Sequence, residues 1–344
     1  MLIENTTPWP ANFTVAHTRE GHEQVVFVTK ATFALPTAPG APCARVPDPL
    51  PLIEADVPGA DPALDATVFE SDFAAHKPFC EVLVHGQAHA PEGRPVTELG
   101  VGVRLGGWSK RFTVHGPRIW LKGAAGFVLS DKRPFVRQPL SYDIAYGGVD
   151  ADPSDPSRQA WYEGNFAGIG YYPLRADREG AEVARTSAFG TDATDPAGRY
   201  APMGFGPLGR AWAQRRRFAG TYDAAWIENR MPFLPDDFDD RYHMAAAEDQ
   251  HLPYPVGGEP VELVNLSASG RIQTFLPRMQ IVVVFERRSG RVTQRVANLD
   301  TILFLPDEGR VTMTFRTRIA AERDIFEFAQ AIVSMRGPEG VADG

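Results

Sequence analysis

Apolar and polar residues alternate over long stretches at both ends of this chain of 344 residues, and that pattern constrains the fold more than any other feature. Near the start, residues 24–35 (QVVFVTKATFAL) are rich in Val, Phe and Thr, and their second half alternates. Residues 79–90 and 96–105 place apolar side chains at every second position. Because a period of two brings apolar residues to one face of a strand, these stretches predict half-buried β-strands.

The last third of the chain contains further short runs of β-branched residues. Turn signals such as Ser269-Gly270 and Glu308-Gly309 separate several of these runs. The predicted strands are residues 261–266, 271–276, 280–287, 291–296, 301–305 and 310–318.

A helix is predicted after the last of these strands, at residues 321–335. Its apolar residues Ile325, Phe328, Ala329 and Ile332 recur at the i, i+3, i+4, i+7 spacing of one helical face. We therefore expect the chain to end in a C-terminal helix.

Between the two β-rich ends lies a region without a clear hydrophobic period. The chain holds 32 Gly and 30 Pro, and in residues 123–259 these are interleaved with Tyr and Trp. Such segments are typical of ordered loops that aromatic anchors hold in place. Two short helices are expected, at residues 221–230 and 235–247, and Asp236 or Asp237 would cap the second.

These elements predict an all-β protein, mainly antiparallel, built of sandwich-like sheets with a long loop-rich central insertion, short helices and a C-terminal helix. We divide the chain into an N-terminal β-rich region (residues 1–122), a loop-rich central region (123–259) and a C-terminal β-rich region (260–344). The regions form either one compact unit or two packed β domains. Strands and helices do not alternate, which excludes a Rossmann or α/β-barrel fold.

Charge and composition exclude several classes of protein. The chain carries 35 basic and 43 acidic residues, a net charge of −8, which disfavours a nucleic-acid binder. Two cysteines allow neither a disulfide framework nor a four-thiolate metal site. No apolar run reaches the ~20 residues that a membrane span needs, and the N-terminus lacks the features of a signal peptide. We therefore expect a cytoplasmic protein.

Two motifs that could carry chemistry are interpreted as structural. Residues 204–209 match G-x-G-x-x-G, but no convincing strand precedes them and Pro207 removes a backbone donor, so a dinucleotide site is not predicted. His85 and His89 lie four residues apart in a strand-like run, which separates them by roughly 13 Å. A shared metal ion is therefore not expected.

The strongest metal candidate is an acidic group in the second expected helix. It consists of Asp236, Asp237, Asp239 and Asp240 together with His243. On a helix, Asp239 and His243 would share a face. Helix capping and solvation explain the acidic residues more simply, so no metal site and no cofactor are predicted.

The remaining reactive or charged residues also receive structural interpretations. The three arginines at 215–217 are expected in a solvated turn or in local salt bridges. Cys80 follows Phe79 and precedes Val82, which favours an inert core thiol over a nucleophile. No spacing in the sequence assembles a nucleophile, a base and an oxyanion donor, so we do not expect an enzyme.

A set of short motifs in a fixed order gives a further indication. The motifs are Trp9-Pro10, 51–56 (PLIEAD), 69–73 (FESDF), 77–82 (KPFCEV), 106–110 (GGWSK), 139–142 (PLSY), 145–150 (AYGGVD), 206–212 (GPLGRAW), 219–223 (AGTYD) and 234–239 (LPDDFD). In this order the chain resembles the bacterial domain-of-unknown-function family 2169, accessory proteins of type VI secretion systems. The match covers about residues 8–318, and it departs at residues 164–170 (GNFAGIG), where an Asn-Pro-x-Gly-x-Gly pattern is expected.

The resemblance implies a cytoplasmic adaptor or chaperone without catalytic residues. Such a protein would help to load a toxic effector, often one with a PAAR domain, onto the VgrG spike of the secretion machine. The implied partners are therefore proteins: a type VI effector, a PAAR protein and VgrG. Nucleic acid and a membrane span are not expected.

Aromatic residues of the central loops are the candidate partner-binding residues. Trp, Tyr and Arg carry much of the binding energy in protein interfaces, and exposed strand edges can pair with a partner strand. These loops either form one binding face or brace the core. The candidates are Trp108, Tyr142, Tyr146, Phe205, Trp212 and Tyr222.

Two alternative functions remain open at the level of sequence. The first is a β-sandwich hydrolase of carbohydrate or ester substrates, with Asp143, Asp150, Asp223 or Asp237 among its carboxylates. The second is a structural component of a contractile secretion assembly.

Overall fold

The computed structural model of the protein describes residues 1–61, 65–152 and 154–337. Its described helices are short, and none of them is long and apolar enough to cross a membrane. The two α-helices are α1 (Ala213–Arg216) and α2 (Ala224–Asn229). Single 3₁₀ turns occur at Pro91–Gly93, Tyr142–Ile144, Asp240–His243, Glu248–Gln250, Pro306–Glu308 and Ile325–Glu327.

Strands make up most of the regular structure. The first half of the chain contains β1 (Leu2–Asn5), β2 (Ala11–His17), β3 (Glu23–Ala34), β4 (Ala44–Arg45), β5 (Cys80–Val84), β6 (Gln87–His89), β7 (Glu98–Leu105), β8 (Trp108–His115), β9 (Trp120–Gly123), β10 (Gly126–Leu129), β11 (Arg137–Pro139), β12 (Tyr146–Gly147), β13 (Val149–Asp152), β14 (Asp155–Trp161) and β15 (Ile169–Gly170). The second half contains β16 (Thr186–Ala188), β17 (His251–Leu252), β18 (Pro260–Val264), β19 (Arg271–Phe275), β20 (Gln280–Arg287), β21 (Val292–Val296), β22 (Asn298–Leu305), β23 (Arg310–Ala320) and β24 (Phe328–Arg336).

The structure confirms the all-β prediction, and most strand pairs are antiparallel. A seven-stranded sheet has the order β17-β5-β22-β23-β3-β2, with β4 paired to β3. A five-stranded sheet has the order β16-β8-β7-β18-β19, and a four-stranded sheet has the order β1-β24-β20-β21. Strands β5 and β22 run parallel, as do β1 and β24.

Each large sheet joins strands from both ends of the chain. Strand β3 pairs with β23 along its whole length, from Gln24 opposite Ala320 to Ala34 opposite Arg310. Strand β7 pairs with β18, and β1 pairs with β24. The N-terminal and C-terminal β-rich regions are therefore interleaved in every large sheet.

One continuous hydrophobic core lies between the three sheets. Alternate residues of each strand point into it, as in β3, where Val25 and Phe27 are almost fully buried. Phe27 of the seven-stranded sheet meets Phe285 of the four-stranded sheet edge-to-face, with ring centroids 6.5 Å apart. Phe112 of the five-stranded sheet belongs to the same core. The alternation that predicts the strands thus also identifies the residues that fill the core.

The predicted C-terminal helix is wrong. Residues 321–335 instead contain a 3₁₀ turn, Ile325–Glu327, followed by β24. Strand β24 fills the gap between β20 and β1, and its Ala331 and Val333 are fully buried. Backbone hydrogen bonds to two neighbouring strands and burial of apolar side chains outweigh a helical spacing that local sequence alone favours.

The two helices predicted in the central region have different outcomes. The helix at 221–230 is confirmed as the shorter α2, and the side chain of Asp223 accepts a hydrogen bond from the N–H of Trp226 as its N-cap. The prediction of a helix at 235–247 is wrong, because only the 3₁₀ turn Asp240–His243 forms there. The Asp239 side chain caps that turn and binds the Arg241 side chain, which favours a tight local turn over a longer helix.

Candidate functional site

The six candidate aromatic residues occupy two kinds of environment. Tyr142, Tyr146, Phe205 and Trp212 are buried, with at most 6% of their surface exposed. Trp108 is half-buried, and its indole N–H donates to the carbonyl of Asp249 at 2.7 Å. In this structure these five side chains brace loops, and those that are buried cannot contact a partner. Tyr222 alone lies mainly in solvent.

Tyr142 and Trp212 form the centre of a small hydrophobic cluster outside the main core. Their rings meet edge-to-face, with centroids 5.4 Å apart, and Leu208 packs beside them. An added Cβ at Gly204 would lie 3.1 Å from the Tyr142 ring. The first glycine of the G-x-G-x-x-G motif therefore makes room for Tyr142.

Tyr146 is held by hydrogen bonds and by the glycines that follow it. Its hydroxyl lies 3.1 Å from the carbonyl of Asp195 and 2.8 Å from that of Gly198. Gly147 has a φ of 155°, and an added Cβ would lie 2.2 Å from the carbonyl oxygen of Asn165. The Tyr-Gly-Gly motif thus lets two loop backbones approach closely, which only glycine allows.

Phe205 and its loop are tied to the main core. The Phe205 ring packs on Phe112, with centroids 4.7 Å apart, and Gln250 donates to the Phe205 carbonyl. Leu208 donates its N–H to the carbonyl of Ala245 at 2.8 Å. After this loop comes only the four-residue helix α1, so the motif lacks the helix that a dinucleotide phosphate needs.

The segment of residues 222–233, which contains α2, projects into solvent. Its exposed large apolar side chains are Tyr222, Ile227, Met231 and Phe233, which are 53, 60, 61 and 37% exposed. Tyr222 packs edge-to-face on Trp226, with centroids 4.8 Å apart, and the Trp226 indole N–H donates to the carbonyl of Phe233 at 2.8 Å. The segment is therefore internally ordered and presents apolar surface outward.

A serine, a histidine and a carboxylate lie together on the outer side of the five-stranded sheet. His115 Nε2 is 2.7 Å from Ser187 Oγ, and His115 Nδ1 is 3.2 Å from Glu98 Oε1. These distances match those of a hydrolase triad. The sequence reasoning missed this grouping because Ser187 is far from the other two in the chain and reaches them only through the pairing of β16 with β8.

The hydrogen bonds of this group run in the wrong direction for catalysis. Lys132 Nζ lies 3.1 Å from His115 Nδ1 and must donate to it. The imidazole therefore carries its proton on Nε2 and donates to Ser187 Oγ, which donates in turn to the carbonyl of Thr191 at 2.7 Å. Burial, together with Lys132, lowers the pKa of His115 and keeps the ring neutral. With its lone pair turned away from the serine, this histidine cannot accept the serine proton.

The same group does not form a cation site. Ligand atoms of Glu98, His115 and Asp192 all lie within 4.8 Å of one another. However, Lys132 forms ion pairs with Glu98 and with Asp192, and Asp192 also pairs with Arg118. Two protein cations already neutralise the two carboxylates, so the donor set does not fit an added metal ion.

The carboxylates of the hydrolase alternative each have a structural partner. Asp143 accepts from the N–H of Ala66, and Asp237 accepts from Thr221. Asp150 is fully buried and paired with Arg175, while Asp223 caps α2. Each of these four carboxylates is therefore held by a contact that serves the fold.

The histidines of the predicted motifs also lie apart. His89 Nε2 contacts Asp307 at 2.6 Å, whereas the His85 ring packs on Phe69 at 4.7 Å. His243 packs against Phe238, and burial with the nearby Arg210 and Arg215 lowers its pKa to about 3. Within the arginine run at residues 215–217, Arg215 is buried and donates to Glu70.

A buried polar layer covers the outer face of the seven-stranded sheet. Three ion pairs lie in it: Lys30 with Asp72, Lys77 with Glu81 and Arg316 with Asp300. Burial alone would raise the pKa of Glu81, but Lys77 and the N–H of Ala246 outweigh it and hold that pKa below its usual value. The pairs join the sheet to the segments that cross it.

The cavities beside this layer are small, about 30 and 110 Å³. Arg316 also donates to the carbonyls of Asp72 and Ala74. Charged side chains that satisfy each other and the loop backbone in this way serve to fix the loops, and they leave no charge free for a substrate.

Fold and site together define the chain as an all-β protein whose buried aromatic and ionic clusters hold its loops against the sheets. A protein-family model described as "Uncharacterized protein conserved in bacteria (DUF2169)" matches residues 20–316. The chain therefore belongs to this family, as the order of the motifs predicts. No curated protein and no solved structure matches the chain.

Proposed function

We propose that this protein is a non-enzymatic adaptor that binds a polypeptide partner through the 222–233 segment. The observation that carries the proposal is the exposure of four large apolar side chains on one short projecting segment. Clustered apolar surface of this kind marks interaction sites on soluble proteins.

The segment is ordered before any partner arrives. Asp223 caps α2, and the Arg230 side chain binds the carbonyls of Leu234 and Arg19. Phe233 lies against the His17 ring, with centroids 6.1 Å apart. An ordered aromatic anchor loses little conformational entropy on binding, which favours affinity.

The identity of the partner is the finer part of the proposal, and the family resemblance supports it. We propose a type VI secretion effector that contains or accompanies a PAAR domain, which the adaptor brings to the VgrG spike. In this role, binding would take place in the cytoplasm, before secretion.

A co-purification experiment tests the proposal. The adaptor is co-expressed with a candidate effector encoded by an adjacent gene, and the yield of complex is compared between the wild type and a Tyr222→Ser/Ile227→Ser variant. Both side chains are exposed, so the variant is expected to fold normally and to lose most of the bound effector.

The matched control is Val256→Ser, which replaces an apolar side chain that is 77% exposed in another loop. It should retain the effector. Equal recovery of effector with the double variant and the wild type would refute a role for the 222–233 segment.

A further inference from the structure

The outer face of the five-stranded sheet carries a depression that none of the sites above uses. It has a volume of about 370 Å³ and lies over β7, β8 and β18. We call it the sheet trough. Its principal lining residues are Gly100, Gly102, Arg104, Arg111, Phe189 and Glu262.

Two glycines in β7 form the floor of the sheet trough. Leu99, Val101 and Val103 point into the core, so Gly100 and Gly102 occupy the outward positions. Neither glycine has a left-handed φ, but Gly102 is buried and an added Cβ there would lie 3.3 Å from the Cβ of Arg111, so Gly100 is the open position. Glycine weakens a strand interior, and it often marks a place where another backbone approaches closely.

Gly100 has room for a side chain. A Cβ added there would lie 3.6 Å from the Phe189 ring, an ordinary contact. A larger residue would fit the fold but would fill the trough. The absence of a side chain at Gly100 therefore creates the depression and serves no visible need of the fold.

Positive charge surrounds this floor. Arg104 and Arg271 share one carboxylate, that of Glu262, at 3.5 and 3.3 Å. Arg111 has no carboxylate partner among the described residues, and its guanidinium stacks on the Phe189 ring at 4.6 Å. Three arginines thus face one acid, a local surplus of positive charge on a chain whose net charge is −8.

We propose that the sheet trough binds an acidic, extended polypeptide segment of the partner. The partner backbone would run over Gly100, carboxylates would pair with Arg111 and Arg104, and an apolar side chain would pack on Phe189, which is 57% exposed. Guanidinium groups bind carboxylates with directed hydrogen bonds, and the stacked Arg111 is preorganised for this.

Nucleic acid is a poorer occupant of the same surface. Its affinity would depend on neutralising several phosphates, whereas the trough offers a small positive surplus on an acidic protein. The proposal rests on the proposed function, because it requires a polypeptide partner. It names a second contact that is separate from the 222–233 segment.

A peptide selection tests this inference on the full chain. A phage library of random dodecapeptides is panned on the immobilised protein, and an enriched peptide is titrated by fluorescence anisotropy. We expect enrichment of Asp and Glu beside an apolar residue. Arg111→Glu and Gly100→Thr should each weaken binding by on the order of tenfold.

Two substitutions serve as matched controls. Arg295→Glu reverses an exposed arginine on β21 of another sheet, and Gly107→Ala adds a Cβ where no atom lies within 4 Å. Both should bind the peptide like the wild type. Circular dichroism melting checks that the trough variants remain folded.

The inference is overturned if acidic residues are not enriched, if both trough variants bind normally, or if a 20-nucleotide single strand competes as well as the peptide. Failure here is distinguishable from failure of the proposed function. The Tyr222→Ser/Ile227→Ser variant should bind the selected peptide normally, whereas it should lose the effector.

Discussion

Two tyrosines of the central region differ in burial, and the contacts that each side chain makes explain the difference. Tyr146 is buried because adjacent glycines let two loops approach and because loop carbonyls accept from its hydroxyl. Tyr222 precedes a capped helical turn and stays 53% exposed. Sequence identifies both as aromatic anchors but cannot separate them, since the partners of Tyr146 lie about fifty residues away in the chain.

The hydroxyl of Tyr146 supplies a first prediction. Tyr146→Phe keeps the ring but removes the hydroxyl that donates to the carbonyls of Asp195 and Gly198 in a partly buried site, so it should lower the free energy of unfolding by about 1 kcal/mol. Urea denaturation measures the change. Tyr222→Phe is the control and should leave stability unaltered; equal effects of the two substitutions would contradict the account.

His243 supplies a prediction about pH. Its folded pKa of about 3 lies below the unfolded value of about 6.5, so between these values only the unfolded state binds the proton. Stability should therefore fall as the pH drops through this window. Between pH 7.5 and 5.0 the wild type should lose about 2 kcal/mol more than His243→Gln.

Urea titrations of both proteins at the two pH values give this difference. The same loss in wild type and variant would mean that His243 is not buried in its neutral form.

At the level of elements, the sequence predicts strands well wherever alternation is long. Residues 24–35 and 310–318 correspond closely to β3 and β23. It fails at β24, where Phe328 and Ile332 also fit a helical period. Residues 328–336 form a strand because a position is open between β20 and β1. The paired residues of β20 lie more than forty positions away and β1 lies at the other end of the chain, so the local sequence does not reveal this position.

Two substitutions in β24 distinguish the strand from the helix. In the strand, Val333 is fully buried and Ala329 is partly exposed. Val333→Asp should therefore cost more than about 3 kcal/mol, whereas Ala329→Asp should be tolerated much better. The helical pattern places both residues on the apolar face, as i+4 and i+8 from Ile325, and predicts that both substitutions are poorly tolerated. Thermal unfolding of the two variants decides between them.

The buried ion pair between Asp300 of β22 and Arg316 of β23 should contribute to stability, because Arg316 also holds the loop that contains Asp72 and Ala74. Arg316→Met leaves Asp300 buried without its partner and removes the donors to the carbonyls of Asp72 and Ala74. It should cost about 3–5 kcal/mol. Asp300→Leu/Arg316→Met should recover part of this loss in chemical denaturation; a double variant less stable than Arg316→Met would contradict the pairing.

At the scale of the whole molecule, the sequence leads us to propose an interaction protein, but it does not locate the surfaces that would bind a partner. Of the six candidate residues, Tyr222 lies on the exposed segment, and helical spacing between Ile227 and Met231 could have added those two. The sheet trough is harder to foresee. Alternating glycines in residues 99–103 hint at an open face, but Phe189 reaches it only through the pairing of β16 with β8.

Hydrogen–deuterium exchange of the protein, alone and mixed with the proposed effector partner, tests the central claim most directly. We expect slower exchange in the 222–233 segment on binding and unchanged exchange around the buried Tyr146. A stable complex in which the 222–233 segment exchanges as fast as in the free protein would contradict it.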